Sequence, residues 1–202
     1  MTRVNSSMDR RGFIKALGSF VALSAVPSTV MAAVPKQSAS PVIAVPVDMQ
    51  NFWLAPREIW LARASTGEEA KICFWKNGQL DVDGYIRACQ LLRDVRAGSA
   101  VQMDVGLLNL LRAIQGWLVY FNINSPIIIN SGYRTAATNG KTEGAAKDSY
   151  HMRGQAADIT MPGIPTKYLS QLAKSFNAGG MGFYPSKSFV HVDTGRVRSW
   201  RG

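Results

Sequence analysis

The stretch SYHMRGQAADI, residues 149–159, carries one of only two histidines in this chain of 202 residues. Asp158 follows His151 after six residues, half of which are Gly or Ala. The segment GQAADITM predicts a short strand with a polar end, and Gly154 predicts the loop that enters it. Such a loop can bring the histidine and the aspartate toward one point, so this stretch is where we expect the chemistry of the chain to concentrate.

The second histidine also lies beside an aspartate. His191 and Asp193 belong to the predicted strand FVHVD, in which residues two apart face the same side. Two imidazoles and one carboxylate, with water as fourth ligand, are typical of a catalytic zinc site. Zinc lowers the pKa of its bound water, and Arg134 in SGYRT could hold a substrate carboxylate or an oxyanion. The spacing alone leaves open whether these are metal ligands or isolated histidines.

Helices and strands are predicted on both sides of these motifs. Asn77-Gly78 predicts the turn of a hairpin, and further strands are expected in SPIIINSGYR, GQAADITM and GGMGFYPSKSFVHVDTG. Helices are expected at 83–93, from an N-cap at Asp104, and at 165–176. The helix that starts at Asp104 has an apolar stripe formed by Leu107, Leu108, Leu111, Ile114, Trp117, Leu118 and Phe121. Without a regular βαβ alternation, this mixture indicates the α+β class.

The N-terminal residues resemble an export signal. Arg10-Arg11 precede an apolar run of roughly 15 residues that ends in small residues, whereas a membrane-spanning helix needs about 20. We therefore expect residues 1–32 to be a signal peptide of the twin-arginine type, which directs the protein to the periplasm. Residues 33–50, rich in Pro and Ser, are expected to be a linker, and residues 51–202 a single domain.

The charge of the chain is positive, with 23 Lys and Arg against 13 Asp and Glu. Removal of residues 1–32 leaves 19 basic and 12 acidic side chains, so the mature protein keeps a net charge near +7. This excess favours anionic partners, which for an exported protein are cell-wall polymers or lipid head groups. No pattern of basic and aromatic residues indicates nucleic-acid binding. Cys73 and Cys89 could form a disulfide or remain two separately buried thiols.

Several motifs resemble a known family. SYHMRGQAADI matches the S-x-H-x-x-G-x-A-x-D pattern of the LAS zinc peptidoglycan peptidases, named for lysostaphin, D-Ala-D-Ala metallopeptidases and Sonic hedgehog. SGYRT, TEGAAKDSYH, GGMGFYP and FVHVDTGRVRSW resemble the MepK-type murein endopeptidases, over about residues 52–200. The resemblance implies a small antiparallel sheet with helices packed around it. It also implies one Zn²⁺ per chain, bound by His151, Asp158 and His191, with Arg134 near the substrate.

The sequence departs from that family where a general base is expected. Many LAS enzymes have an acidic residue or a histidine at the positions that Ser188 and Phe189 occupy here, and neither side chain can accept the proton. We expect Asp193 to be the general base, because a carboxylate beside a zinc-bound water can take its proton. The alternative is that Asp193 orients a ligand or pairs with Arg134. Further expected pocket residues are Ser149, Tyr133 and Tyr184.

These observations predict a zinc peptidase of the periplasm that acts on peptidoglycan stem peptides. The resemblance favours an endopeptidase that cleaves cross-links between two diaminopimelate residues. One alternative is a D,D- or L,D-carboxypeptidase that trims stem peptides, since it shares all the metal chemistry. Another is a non-catalytic wall-binding module with a structural zinc, which the missing base would permit. The sequence gives no indication of the oligomeric state.

Overall fold

The computed structural model describes residues 49–202. The predicted signal peptide, residues 1–32, and nearly all of the predicted linker lie outside the described residues. The first helix starts at Met49, two residues before the predicted start of the domain. Among residues 49–202, none of the helices combines the length and the apolar character needed to cross a bilayer.

The described residues form five α-helices, one 3₁₀ helix and eight strands, which confirms the α+β class. The helices are α1 (Met49–Leu54), α2 (Val82–Leu91), α3 (Val105–Tyr120), α4 (Ala136–Gly140) and α5 (Thr166–Ser175), and the 3₁₀ helix spans Tyr150–Arg153. The strands are β1 (Arg57–Arg63), β2 (Glu68–Lys76), β3 (Gln79–Leu80), β4 (Ile127–Ser131), β5 (Ala156–Thr160), β6 (Gly180–Tyr184), β7 (Phe189–Asp193) and β8 (Arg198–Arg201).

All eight strands form one sheet, in the order β3-β2-β1-β4-β5-β7-β6-β8. The sheet is larger than the small antiparallel sheet expected from the family resemblance, and two neighbouring pairs, β1·β4 and β6·β8, are parallel. The first parallel pair is possible because α2 and α3 lie in the chain between β3 and β4 and form the crossover that leads to the side of β1 opposite β2. Strand β8 was not predicted, because RSWR has no apolar run.

The hairpin of β2 and β3 turns where the sequence predicted. Asn77 and Gly78 both have positive φ, 53° and 79°, as a type I′ turn requires. Strands β1 and β2 pair antiparallel, with Ile59 opposite Ile72. Because one face of this pair is buried, the alternation of apolar and polar residues fixes its register.

Helix α3 lies in the centre of the core, as its apolar stripe predicted. The side chain of Asp104 accepts a hydrogen bond from Gly106 N at 2.7 Å, which confirms the predicted N-cap. Gln115 is buried on this helix, and its amide exchanges hydrogen bonds with both backbone groups of Trp60 in β1. The stripe ends earlier than predicted: Phe121 follows the helix and is 47% exposed.

The two cysteines are free thiols in this structure, which corresponds to the second of the two alternatives. Cys73 is partly buried on β2. Cys89 is buried on α2, where its sulfur accepts a hydrogen bond from Met103 N at 3.4 Å. Burial raises the pKa of the Cys89 thiol and so disfavours its reactive thiolate.

Helix α2 approaches β2 so closely that Gly84 leaves no room for a side chain. A Cβ atom at this position would lie 1.6 Å from the backbone oxygen of Cys73. We predict that Gly84→Ala forces the helix off the sheet and lowers the free energy of unfolding by at least about 1–3 kcal/mol, measured by urea denaturation. Gly140→Ala is the control, since nothing lies within 4 Å of a Cβ there. Equal unfolding midpoints for the two variants would contradict this packing.

Candidate metal centre

A short capped turn places His151. Ser149 caps the 3₁₀ helix, and its Oγ accepts a hydrogen bond from the His151 backbone N at 3.3 Å. Gly154 ends the helix with φ of 68°, a left-handed conformation that glycine adopts without a steric penalty. In the S-x-H-x-x-G spacing, the serine therefore caps the 3₁₀ helix, the histidine is buried and the glycine ends the helix.

The sheet places Asp158 and His191 next to each other. Asp158 on β5 and His191 on β7 are register partners in an antiparallel pair, so their side chains emerge on the same face. All three predicted ligand residues are buried, with exposures of 2% for His151, 5% for Asp158 and 8% for His191. The structure thus brings together two histidines separated by 40 residues.

Three ligand atoms converge in this group. His151 Nε2 lies 3.1 Å from His191 Nδ1 and 3.2 Å from Asp158 Oδ1, and the remaining pair, His191 Nδ1 and Asp158 Oδ1, are 2.9 Å apart. One nitrogen or oxygen from each of the three residues could bind the same metal ion. They also line a cavity of about 640 Å³, which leaves one side of the group open.

In each histidine, the ring nitrogen that faces away from the group forms a hydrogen bond, and this bond determines which nitrogen is left to bind a cation. His151 Nδ1 lies 2.6 Å from the carbonyl oxygen of Gly132, and His191 Nε2 lies 2.9 Å from Asp193 Oδ2. Both oxygens can only accept, so these nitrogens carry the hydrogens in the neutral rings. His151 Nε2 and His191 Nδ1 therefore direct lone pairs toward each other and toward Asp158. Three converging acceptors suit a divalent cation, and two imidazoles with a carboxylate suit zinc.

Burial and ion pairing control the charges of the three residues. Burial lowers the pKa of His151, which favours the neutral ring. Burial opposes a charge on His191 as well, but its hydrogen bonds to Asp158 and Asp193 outweigh this effect and raise its pKa. Asp158 is buried too, yet the two histidines hold its pKa below the ordinary range and keep the carboxylate ionised.

Arg134 forms an ion pair with Asp158. Its Nη2 donates to Asp158 Oδ2, and its Nε donates to Ser131 Oγ at 2.7 Å. The guanidinium thus occupies one carboxylate oxygen and leaves Oδ1 facing the histidines. Arg134 also lines the cavity, and its place near the substrate stays a prediction. Its contact with a ligand residue was not expected from the sequence.

Asp193 lies behind His191, on the side away from the converging atoms. Its carboxylate is 0% exposed and accepts five hydrogen bonds, from His191 Nε2, the backbone N of Gly180 and of Gly195, and both terminal nitrogens of Arg198. Both oxygens are occupied, and Asp193 is not among the cavity-lining residues. This position favours the alternative in which Asp193 orients a ligand over the general-base role.

The other predicted pocket residues differ in their positions. Ser149 and Tyr184 line the cavity, whereas Tyr133 is partly buried against the hydrophobic core, and its backbone N donates to Leu92 O at 2.7 Å. The pocket role expected for Tyr133 has no support in this position and stays a prediction. Two lining residues, Arg198 and Trp200, were not predicted, since only their neighbours in the sheet show that they face the site.

Comparisons with known proteins agree with this geometry. A family model described as peptidoglycan L,D-endopeptidase MepK matches residues 53–200. The proteins named peptidoglycan L,D-endopeptidase MepK from Escherichia coli strain K12 and from Shigella flexneri are each 36% identical over 149 residues, which cover 72% of this chain and 80% of each relative. A probable peptidoglycan L,D-endopeptidase MepK from Haemophilus influenzae is 40% identical over 116 residues, covering 55% of this chain and 61% of that protein.

The hydrogen bonds predict two different tautomers. In the metal-free protein at mildly alkaline pH, we expect His151 to carry its hydrogen on Nδ1 and His191 on Nε2. The chain has only two histidines, so long-range proton–nitrogen NMR correlations of isotope-labelled histidine should show one ring of each type. Asp193→Asn should perturb the His191 ring and leave the His151 ring unchanged. Two rings of the same tautomer would contradict the proposed orientation of the lone pairs.

Proposed function

The chain belongs to the peptidoglycan L,D-endopeptidase MepK family, and from this premise we propose that it cleaves L,D cross-links between diaminopimelate residues with the help of one zinc ion. The family consists of metallopeptidases, and hydrolysis of peptide cross-links in peptidoglycan is the activity its members share. The main support for a bound metal ion is that three acceptor atoms converge at the wall of an open cavity.

The zinc ligands in this proposal are His151 Nε2, Asp158 Oδ1 and His191 Nδ1. When bound, zinc supplies a Lewis acid that polarises the scissile carbonyl and lowers the pKa of the attacking water. The histidines are held for this task by the oxygens of Gly132 and Asp193, which fix each ring in the orientation that metal binding requires. The open side toward the cavity leaves space for water and substrate, as a catalytic site needs.

Arg134 has two tasks in this proposal. Its ion pair with Asp158 Oδ2 holds the carboxylate so that Oδ1 faces the metal. Among the described residues, Nη1 of Arg134 has no hydrogen-bond partner, and the side chain lines the cavity. This nitrogen is therefore available to donate to the carbonyl oxygen of the substrate as negative charge develops there. Asp193 orients His191 and does not act as the base.

The cavity suits an anionic peptide. Among the basic residues that line it, Arg96, Lys141 and Lys187 are exposed and form no ion pair within residues 49–202. Stem peptides carry free carboxylates on both sides of a cross-link, which these cations can attract. The choice of an endopeptidase rests on the names of the relatives. The assay below distinguishes this activity from the two alternatives, a carboxypeptidase and a non-catalytic zinc module.

We predict that purified protein without residues 1–32 binds one zinc ion and releases muropeptides from isolated sacculi. Mass spectrometry should show loss of cross-linked species joined between two diaminopimelate residues, and a chelator should abolish this loss. His151→Ala and His191→Ala should each lose the zinc and the activity, whereas Lys174→Ala, at an exposed position of helix α5 that does not line the cavity, should keep both.

Each unfavourable outcome has its own meaning. Release of single terminal amino acids would indicate a carboxypeptidase. Binding of sacculi without any release would indicate a wall-binding module. Full zinc retention in either histidine variant would show that the ligand set is wrong.

We also propose that the protein reaches the periplasm by the twin-arginine route. The support is the pair Arg10-Arg11 in front of an apolar run, together with a family whose substrate is the cell wall. Changing both arginines to lysine preserves the charge but removes the pair, so we predict that precursor accumulates in the cytoplasm. Fractionation of cells expressing each form measures this, and Arg3→Lys, outside the pair, is the control. Unchanged export would refute the route.

A further inference from the structure

The edge strand β8 directs two of its side chains toward the metal centre. It pairs parallel with β6, so that Arg198 lies opposite Gly180 and Trp200 opposite Gly182. In turn, Gly182 lies opposite His191 in the antiparallel pair of β6 and β7. Register partners in a sheet emerge on the same face, so Arg198 and Trp200 lie on the face that carries His191.

The two glycines of β6 leave the space through which these side chains cross. A Cβ at Gly180 would lie 2.2 Å from Arg198 Nη1 and 2.4 Å from Asp193 Oδ2, and a Cβ at Gly182 would lie 2.6 Å from the ring of Trp200. A larger residue at position 180 or 182 would push the side chains of Arg198 and Trp200 away from β7. The spacing of the glycines in GGMGF therefore permits a direct contact between side chains of two strands that are not neighbours in the sheet.

Arg198 binds Asp193 through both ends of its guanidinium. Nη2 lies 2.7 Å from Oδ2 and Nη1 lies 3.0 Å from Oδ1, the two-pronged geometry that arginine forms with carboxylates. The guanidinium also lies between two aromatic rings, 5.1 Å from the ring centre of Tyr150 and 4.8 Å from that of Trp200. These contacts limit the conformational freedom of the Arg198 side chain, of which 27% is exposed.

We propose that Arg198 is a positioning residue of the metal centre, which fixes Asp193 so that its Oδ2 accepts from His191 Nε2 and His191 Nδ1 faces the metal. The proposal rests on the metal site proposed above. The backbone hydrogen bonds from Gly180 and Gly195 both go to Oδ1, so among the described residues Arg198 is the partner that holds Oδ2 from the side opposite His191. A lysine has one charged nitrogen and cannot hold both oxygens in a plane.

The competing explanation is that Arg198 only fastens β8 to the sheet. Arg201 provides the matched control, because it lies on the same strand and its guanidinium lies 5.7 Å from the ring centre of Phe183, but it contacts neither Asp193 nor the cavity. A purely structural role predicts similar effects of Arg198→Met and Arg201→Met. A positioning role predicts that only the first variant changes the metal centre.

The first measurement is zinc affinity by chelator competition in the protein without residues 1–32. We expect Arg198→Met to weaken zinc binding by roughly 10–100-fold, the usual effect of losing a partner behind a ligand, and Arg201→Met to change it by less than about twofold. Arg198→Lys keeps the charge and should recover only part of the affinity. Wild-type affinity in both Arg198 variants would overturn the proposal.

The second measurement tests the path through Asp193. If Arg198 acts on the metal through this carboxylate, the double variant Asp193→Asn with Arg198→Met should bind zinc about as weakly as Asp193→Asn alone. Losses of zinc affinity that add in full would overturn the proposal.

In the metal-free protein, Arg198→Met should also shift the NMR signals of the His191 ring and leave those of His151 unchanged. An unshifted His191 ring would equally refute the proposal. None of these measurements requires hydrolysis. A failure of the proposed activity can therefore be distinguished from a failure of the role proposed for Arg198.

Discussion

Three acceptor atoms that face one another at 2.9–3.2 Å are the constraint on which the rest of this structure depends. With both rings neutral, two lone pairs and a carboxylate oxygen repel one another unless a metal ion or a proton lies between them, so the fold must hold them together by other means. It does so from behind each residue. The carbonyl of Gly132 holds His151, Asp193 holds His191, and Arg134 holds Asp158. The group is thereby preorganised before a metal binds, which reduces the free-energy cost of forming the site.

Close approaches of the backbone make these supports possible. Gly132 presents its carbonyl to His151 at a point where a Cβ would lie 2.2 Å from the backbone oxygen of Leu92. Gly180 and Gly182 similarly let the side chains of β8 cross β6. Glycine serves at these three positions because it is small, and none of them has a positive φ. A substitution there would displace a partner of a metal ligand without touching the ligand itself, so its effect would resemble the loss of a site residue.

The three longest helices and most strands could be predicted from the sequence because their signals are local. The apolar stripe after Asp104 and the Asn77-Gly78 turn depend on residues within a few positions of each other, and the structure contains both elements. The candidate ligands were identifiable because the chain has so few histidines. The surroundings of the ligands were not predictable. Whether Tyr133 faces the core or the cavity, and whether Asp193 faces the metal or lies behind His191, depends on pairings between β-strands that the alternation within one strand does not specify.

The charges around the ligands have a consequence for reactivity. Asp158 is paired with Arg134 and Asp193 with Arg198, so each carboxylate near the centre has a guanidinium partner. With two neutral imidazoles, these four side chains carry no net charge, and a divalent metal would keep its full charge toward the cavity. A metal ion whose charge is not offset by its surroundings is a stronger Lewis acid than one surrounded by unpaired carboxylates. In the roles proposed for them, the two arginines each hold a carboxylate in the geometry that metal binding requires, and each offsets the negative charge that would weaken the effect of the metal on the substrate carbonyl.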